Sequence, residues 1–135
     1  MMAAQTKLLG SFNKTIFELI DTCKRLTKQD EDVVAIEKRI KDGVMIERDI
    51  VLVNAGPHLV KHKDNILSKN EAFFLGHDFE DLKNAPGAEE VGEDLPRLIN
   101  KFKGIWQGLK PREKDRLFAY VNNMLADYLD YVKAA

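Results

Sequence analysis

Apolar residues recur at helical spacing along nearly the whole chain. Leu8, Leu9, Phe12, Ile16, Leu19, Ile20 and Cys23 fall on one face of a first helix, the pattern that sets an apolar stripe against a core. Asp30 is placed to cap a second helix that buries Val33, Ile36 and Ile40 before Gly43 ends it. Residues 44–54 carry Ile46, Ile50 and Val53 at the same spacing. The run 50–53 is β-prone in composition, but no second strand-like segment exists to pair with it, so a helix is expected there too.

Gly56-Pro57 predicts a kink or a fresh start, because proline lacks the N–H that an interior helix position donates. A helix over about 57–67 follows, then a short helical turn at 71–75 under Phe73 and Phe74. Periodicity collapses over about 76–93, where Gly76, Pro86, Gly87 and Gly92 crowd together in one long loop. Asp94 can cap a helix containing Leu98, Ile99, Phe102, Ile105, Trp106 and Leu109. Pro111 suits the first position of a last helix that bears Leu117, Val121, Leu125, Tyr128, Leu129 and Val132. Two amphipathic helices joined by so short a turn should pack as an antiparallel hairpin. The expected fold is all-α: a compact bundle of five or six helices ending in that hairpin, with the acidic loop at about 76–93.

Composition narrows the class. A chain of 135 residues is expected to form a single helical domain, 1–135. Its 44% hydrophobic and 32% charged residues exclude a disordered chain and a membrane protein alike. Cys23 is the only cysteine, so neither an intramolecular disulfide nor a Cys-based zinc cluster can form. The longest stretch free of Asp, Glu, Lys and Arg is residues 50–60, eleven residues, against the roughly 20 that span a bilayer. The first residues lack a basic leader followed by an apolar region. A soluble, cytoplasmic protein is therefore expected.

No Gly-rich phosphate loop, Walker lysine or Ser elbow is present. Cys23 lies in the apolar stripe of the first helix and reads as a small core hydrophobe rather than a nucleophile. His58 and His62, at i and i+4, share a helix face and could ligate a metal, with His77-Asp78 able to supply further ligands if the loop folds back. A metalloprotease motif would need Glu where Leu59 stands, and Asp78, Glu80 and Asp81 do not follow EF-hand spacing. These histidines are secondary metal candidates beside the plainer expectation of a solvated polar face. No cofactor, no metal and no enzyme mechanism is expected from these parts.

Charge is segregated beneath a net of -1. Residues 71–94 carry one basic side chain, Lys83, against eight acids, whereas 95–116 carry seven basic side chains against two acids. The seven are Arg97, Lys101, Lys103, Lys110, Arg112, Lys114 and Arg116. The last four crowd the N-terminus of the final helix, where the macrodipole disfavours cations by about 0.3–1 kcal/mol each. Either an anionic partner or internal acids must compensate, and internal neutralisation is the expected outcome. Gly104 and Gly108 would let another backbone approach the penultimate helix closely, and Trp106 is expected as a core anchor.

The C-terminal pattern Leu98-Ile99, Phe102, Ile105-Trp106, Leu109, Pro111, Lys114, Leu117-Phe118, Tyr120, Leu125 and Leu129 resembles small helical proteins encoded by large algal and other giant DNA viruses. Residues 12–20 and the stretch Asn70-Glu71, Phe73-Phe74-Leu75 are similar to their N-terminal and middle parts. Lys110 stands where those proteins tend to carry Ser before the last helix. The resemblance implies a viral or virion-associated interaction protein and transfers no catalytic residue. The expected function is thus a non-enzymatic helical module that docks on a partner protein or on itself. The alternative is a nucleic-acid-binding domain using the basic 95–116 segment.

Overall fold

The computed structural model describes residues 3–84 and 91–134. Among them are seven α-helices and no strand: α1 (Ala3–Leu26), α2 (Glu31–Ile46), α3 (Ile50–Lys61), α4 (Lys63–Leu67), α5 (Glu71–Gly76), α6 (Asp94–Ile105) and α7 (Pro111–Lys133). Short 3-10 turns cover Glu80–Asn84 and Trp106–Gly108. Among the described residues no helix is long and apolar enough to cross a membrane. The expected loop at 76–93 is partly ordered by the first 3-10 turn, and its centre, residues 85–90 with Pro86 and Gly87, lies outside the described residues.

The stripe read from the first helix is the core. Leu9, Phe12, Ile16, Ile20 and Cys23 of α1 are at most 3% exposed and pack with Val33, Ile36, Ile40, Val51, Leu98 and Trp106 in one buried cluster. Asp30 caps α2 as anticipated, its carboxylate accepting the Asp32 and Val33 N–H groups at 2.9 and 3.3 Å. Pro111 begins α7, and the Glu113 carboxylate accepts the Lys110 N–H at 2.8 Å. The β-prone run at 50–53 is helical, with Ile50, Val51 and Leu52 buried on all sides.

Several boundaries differ from the expected ones, each for a local reason. Gly43 does not stop α2. It is buried within the helix, and its carbonyl accepts the Glu47 N–H at 2.8 Å, so the helix runs on to Ile46. Pro57 lies inside α3 rather than opening a helix. Burial of Ile50, Val51, Leu52, Ala55 and Leu59 outweighs the roughly 3 kcal/mol that an interior proline costs. The chain breaks instead at His62 (φ -107°, ψ 24°), which splits the expected 57–67 helix into the end of α3 and the short α4. With α5 a helix of six residues where a short turn was expected, the described residues hold seven helices rather than five or six.

The expected C-terminal hairpin gives way to a different pairing. The most extensive helix contact joins α7 to α1, the last helix to the first. They run antiparallel, since the Gln5 side chain donates to the Tyr131 carbonyl at 3.3 Å while Thr22, Arg25 and Leu26 border Arg112 and Arg116. Contact across the turn between α6 and α7 is local: Trp106, 2% exposed, meets Phe118 edge to face at 5.7 Å. Gly104 and Gly108 face open space, so neither mediates close helix approach. The close approach is at Gly56, where a Cβ would lie 2.1 Å from Cε1 of Tyr128 on α7. Asp94 does not cap α6 with its side chain. It is 4% exposed and holds Arg39 of α2 at 2.7 Å.

Candidate metal centre

The end of α3 and the chain after α5 converge on a cluster of three histidines and an aspartate. His58 occupies the last turn of α3, and His62 follows one turn later at its C-terminal boundary. His77 terminates α5 in extended backbone (φ -84°, ψ 141°). Two residues on, Phe79 adopts the left-handed region at φ 58°, a conformation that costs a bulky residue about 1–2 kcal/mol. It is held there by burial of its ring, 7% exposed, edge-on to His77 at 4.6 Å and beside His58 at 5.2 Å. The turn is fastened further by Asp78, whose carboxylate accepts the Glu80 N–H at 3.0 Å. The reversal carries Asp81, on the following 3-10 turn, back onto α3. Leu82, 2% exposed, accepts a 3.0 Å hydrogen bond from Asn54 of α3 and anchors that turn.

The four side chains can each turn a donor atom into a common space, all donors lying within 4.8 Å of one another. Asp81 Oδ2 is 2.7 Å from His58 Nδ1, and Asp81 Oδ1 is 3.6 Å from His77 Nε2. The rings of His58 and His62 are 4.6 Å apart between centroids, and those of His62 and His77 are 4.8 Å apart. His62 Nε2, His77 Nε2 and Asp81 Oδ1 are all buried with no hydrogen-bond partner. A buried polar atom left unpaired costs about 1–3 kcal/mol. His77 Nε2 and Asp81 Oδ1 have only their 3.6 Å ion-pair contact with each other, and His62 Nε2 has no hydrogen-bond partner.

Electrostatics prepare the set for a cation. Burial lowers the pKa of His58, outweighing the hydrogen bond and charge of Asp81 that pull it upward. Burial likewise lowers that of His62, and the neighbouring His58 and His77 act in the same direction. Both shifts favour the neutral imidazole, the form that ligates metal. At Asp81 burial works against ionisation, but the hydrogen bond and charge of His58, a backbone hydrogen bond and His77 outweigh it and hold the pKa below the ordinary carboxylate value. Three nitrogens and one carboxylate oxygen form a borderline donor set suited to Zn²⁺. Donors in a tetrahedral zinc site stand about 3.4 Å apart, so the widest pair here must close by at most about 1.4 Å.

The expected solvated face for His58 and His62 is thus corrected: the His58 side chain is only 9% exposed, because Phe73, Phe79 and His77 pack over the pair. His77 does fold back. Asp81 was the residue missed as a ligand. Its signal was a second i, i+4 pair, His77 and Asp81, twin to His58 and His62.

The basic residues of 95–116 are placed apart from this centre, with one exception. The Lys103 ammonium donates to the His77 carbonyl and sits 5.0 Å from the Phe79 ring centroid, bracing the turn that carries two of the ligands. Lys101 pairs with Asp30 and Asp32 at 3.1 and 3.0 Å. Arg97 pairs with Glu93 at 3.6 Å, and Lys114 with Glu71 at 3.4 Å. Arg112 and Arg116 line a surface hollow with Arg25, Thr22, Leu26 and Glu113, and Lys110 is exposed at the start of α7. The chain matches no family model, and no curated protein and no solved structure is found similar to it.

Proposed function

We propose that this chain is a zinc-binding helical protein in which His58, His62, His77 and Asp81 hold one divalent ion as a structural clamp. The observation that carries the reading is that His58, His62, His77 and Asp81 bring one donor atom each to within 4.8 Å of one another, while His62 Nε2 is buried with no hydrogen-bond partner. Four protein donors form a closed set, the pattern of structural rather than catalytic zinc. The ion would join the end of α3 to the His77–Asp81 turn, which the buried Phe79 and Leu82 anchor to the core. His58 would bind through Nδ1, giving up its 2.7 Å hydrogen bond to Asp81 so that both side chains share the ion instead of each other.

The test is titration of EDTA-treated protein with Co²⁺, followed by visible absorption, with Zn²⁺ displacement giving the zinc affinity. One equivalent of tetrahedral Co²⁺ absorption is expected. His62→Ala and Asp81→Ala should each weaken binding by about 100-fold or more. Octahedral Co²⁺ spectra, or equal affinity in the variants, would sink the reading.

A second reading is supported by Arg25, Arg112 and Arg116, which flank one hollow and carry no salt bridge among the described residues. Such a surface suits an acidic segment of a partner protein, in keeping with the docking role expected from the sequence and with a virion-associated context. Arg112→Glu with Arg116→Glu should abolish partner recovery in a pull-down. Binding to any duplex DNA with a steep salt dependence would favour nucleic acid instead.

A further inference from the structure

Beside the histidine cluster, and walled from it by His58 and His62 themselves, lies a cavity of about 150 Å³. Its walls come from Ile16 of α1, Leu59 of α3, Leu98 of α6, and Val121 and Met124 of α7, and Phe73 of α5 closes one side. Two of the polar side chains at its edge are engaged elsewhere. Asn70 donates to Asn65 at 2.9 Å and accepts the Phe73 N–H at 3.0 Å, and His58 Nδ1 is turned to Asp81. The cavity therefore offers carbon surface almost exclusively.

Native interiors are packed as densely as organic crystals, with few voids larger than a water molecule. A pocket of this volume with so apolar a lining offers water few hydrogen-bond partners and suits a ligand of the size of benzene. We propose that the cavity is a binding site for one small, neutral apolar molecule, of the size of a monocyclic arene. Shape and lining select for that class: a charged or strongly polar ligand would be desolvated without compensation.

The fold also supplies a route in. Helix α5 covers the cavity and has no buried residue of its own. It is held by Glu71, which accepts the Trp106 indole N–H at 3.1 Å and pairs with Lys114 at 3.4 Å, and by the half-buried Phe73 and Phe74, which pack on His62 and Trp106. A six-residue helix with no fully buried side chain is the element that opens at least expense to the rest of the core. Replacing Glu71 by Ala should accelerate ligand exchange without altering the cavity itself.

The inference goes beyond the zinc reading and does not depend on it, since the ligand would contact carbon and not the metal. The experiment is benzene titration of the EDTA-treated protein and, separately, of the zinc-loaded protein, by calorimetry and by NMR. Binding at one equivalent in both states is expected, with intermolecular NOEs from benzene to the methyl groups of Leu59, Leu98 and Met124. Ala55→Leu and Val121→Phe, which fill the cavity from α3 and α7, should each weaken binding at least tenfold while circular dichroism shows an unchanged helical fold. Should either variant fail to fold, the NOE pattern of the parent protein decides alone. Absence of those NOEs, or unweakened binding in a folded variant, would overturn the proposal. Failure of Co²⁺ binding with benzene binding intact would remove the metal and leave the cavity site standing.

Discussion

Gly56→Ala tests how α3 and α7 come together, two residues before the first histidine of the cluster. A Cβ at position 56 would lie 2.1, 2.2 and 2.6 Å from Cε1, Cδ1 and Cζ of Tyr128, whereas ordinary contacts begin near 3.4 Å. Three atoms of one ring are overlapped, so a small rotation of Tyr128 cannot clear the methyl group. Overpacking of this kind costs about 1–3 kcal/mol, and an overlap beyond 1 Å belongs at the upper end. Against it stands the gain of about 1 kcal/mol for Ala over Gly inside a helix. The net expectation is a loss of about 2 kcal/mol, read from urea denaturation followed by far-ultraviolet circular dichroism. The sign is informative, because without the clash the substitution would stabilise. In a Tyr128→Ala background the methyl group meets no ring, and Gly56→Ala should become neutral or stabilising by up to about 1 kcal/mol. The coupling between the two positions is then about 3 kcal/mol. A parent-background Gly56→Ala variant as stable as the parent protein, or more so, would refute this packing of α3 against α7.

Three further outcomes rest on buried groups and caps. Arg39→Met leaves the Asp94 carboxylate, 4% exposed, without its cation and should cost about 2 kcal/mol, less than a fully buried pair because Arg39 is 46% exposed; denaturant midpoints with unchanged m-values check it. The hydrogen bond from Lys101, helped by the Val33 and Asp32 N–H groups, holds the Asp30 pKa below its ordinary value against a smaller effect of burial. Its stabilisation is therefore complete above the unfolded carboxylate pKa of about 3.9 and is lost as pH falls through the lower folded value, so the gap in thermal midpoint between parent and Asp30→Ala should close in acid. Burial, joined by the charge of Asp30, pushes the Cys23 thiol up to about 12, so a disulfide reagent at pH 8 should label it only as fast as the protein unfolds.

The core was legible because burial on one side of a helix leaves a period in the sequence. Leu9, Phe12, Ile16 and Ile20 could be placed inside from spacing alone, as could the cap at Asp30 and the start at Pro111. Positions whose behaviour depends on a distant partner were not. Gly43 and Pro57 carry stop signals that tertiary burial overrides, and Gly56, not Gly104 or Gly108, turned out to face a neighbour. The metal cluster shows the same division. His58 and His62 announce themselves at i and i+4, but His77 and Asp81 reach them only because Phe79 holds a left-handed turn between the two, which no local propensity favours. Asp81, which fits no EF-hand spacing, lies instead beside three histidines.

The zinc clamp stands or falls on metal content. Elemental analysis of protein purified without chelator, then of the EDTA-treated and zinc-repleted sample, should give about one zinc per chain before and after repletion. At zinc a hundredfold above its dissociation constant, the thermal midpoint should rise by about 8–11 °C, the shift that about 2.7 kcal/mol of binding linkage produces in a domain of this size. The His62→Ala, His77→Ala double variant should retain no zinc and show no shift. Substoichiometric zinc in the parent protein, with a midpoint that does not move on repletion, would contradict the clamp.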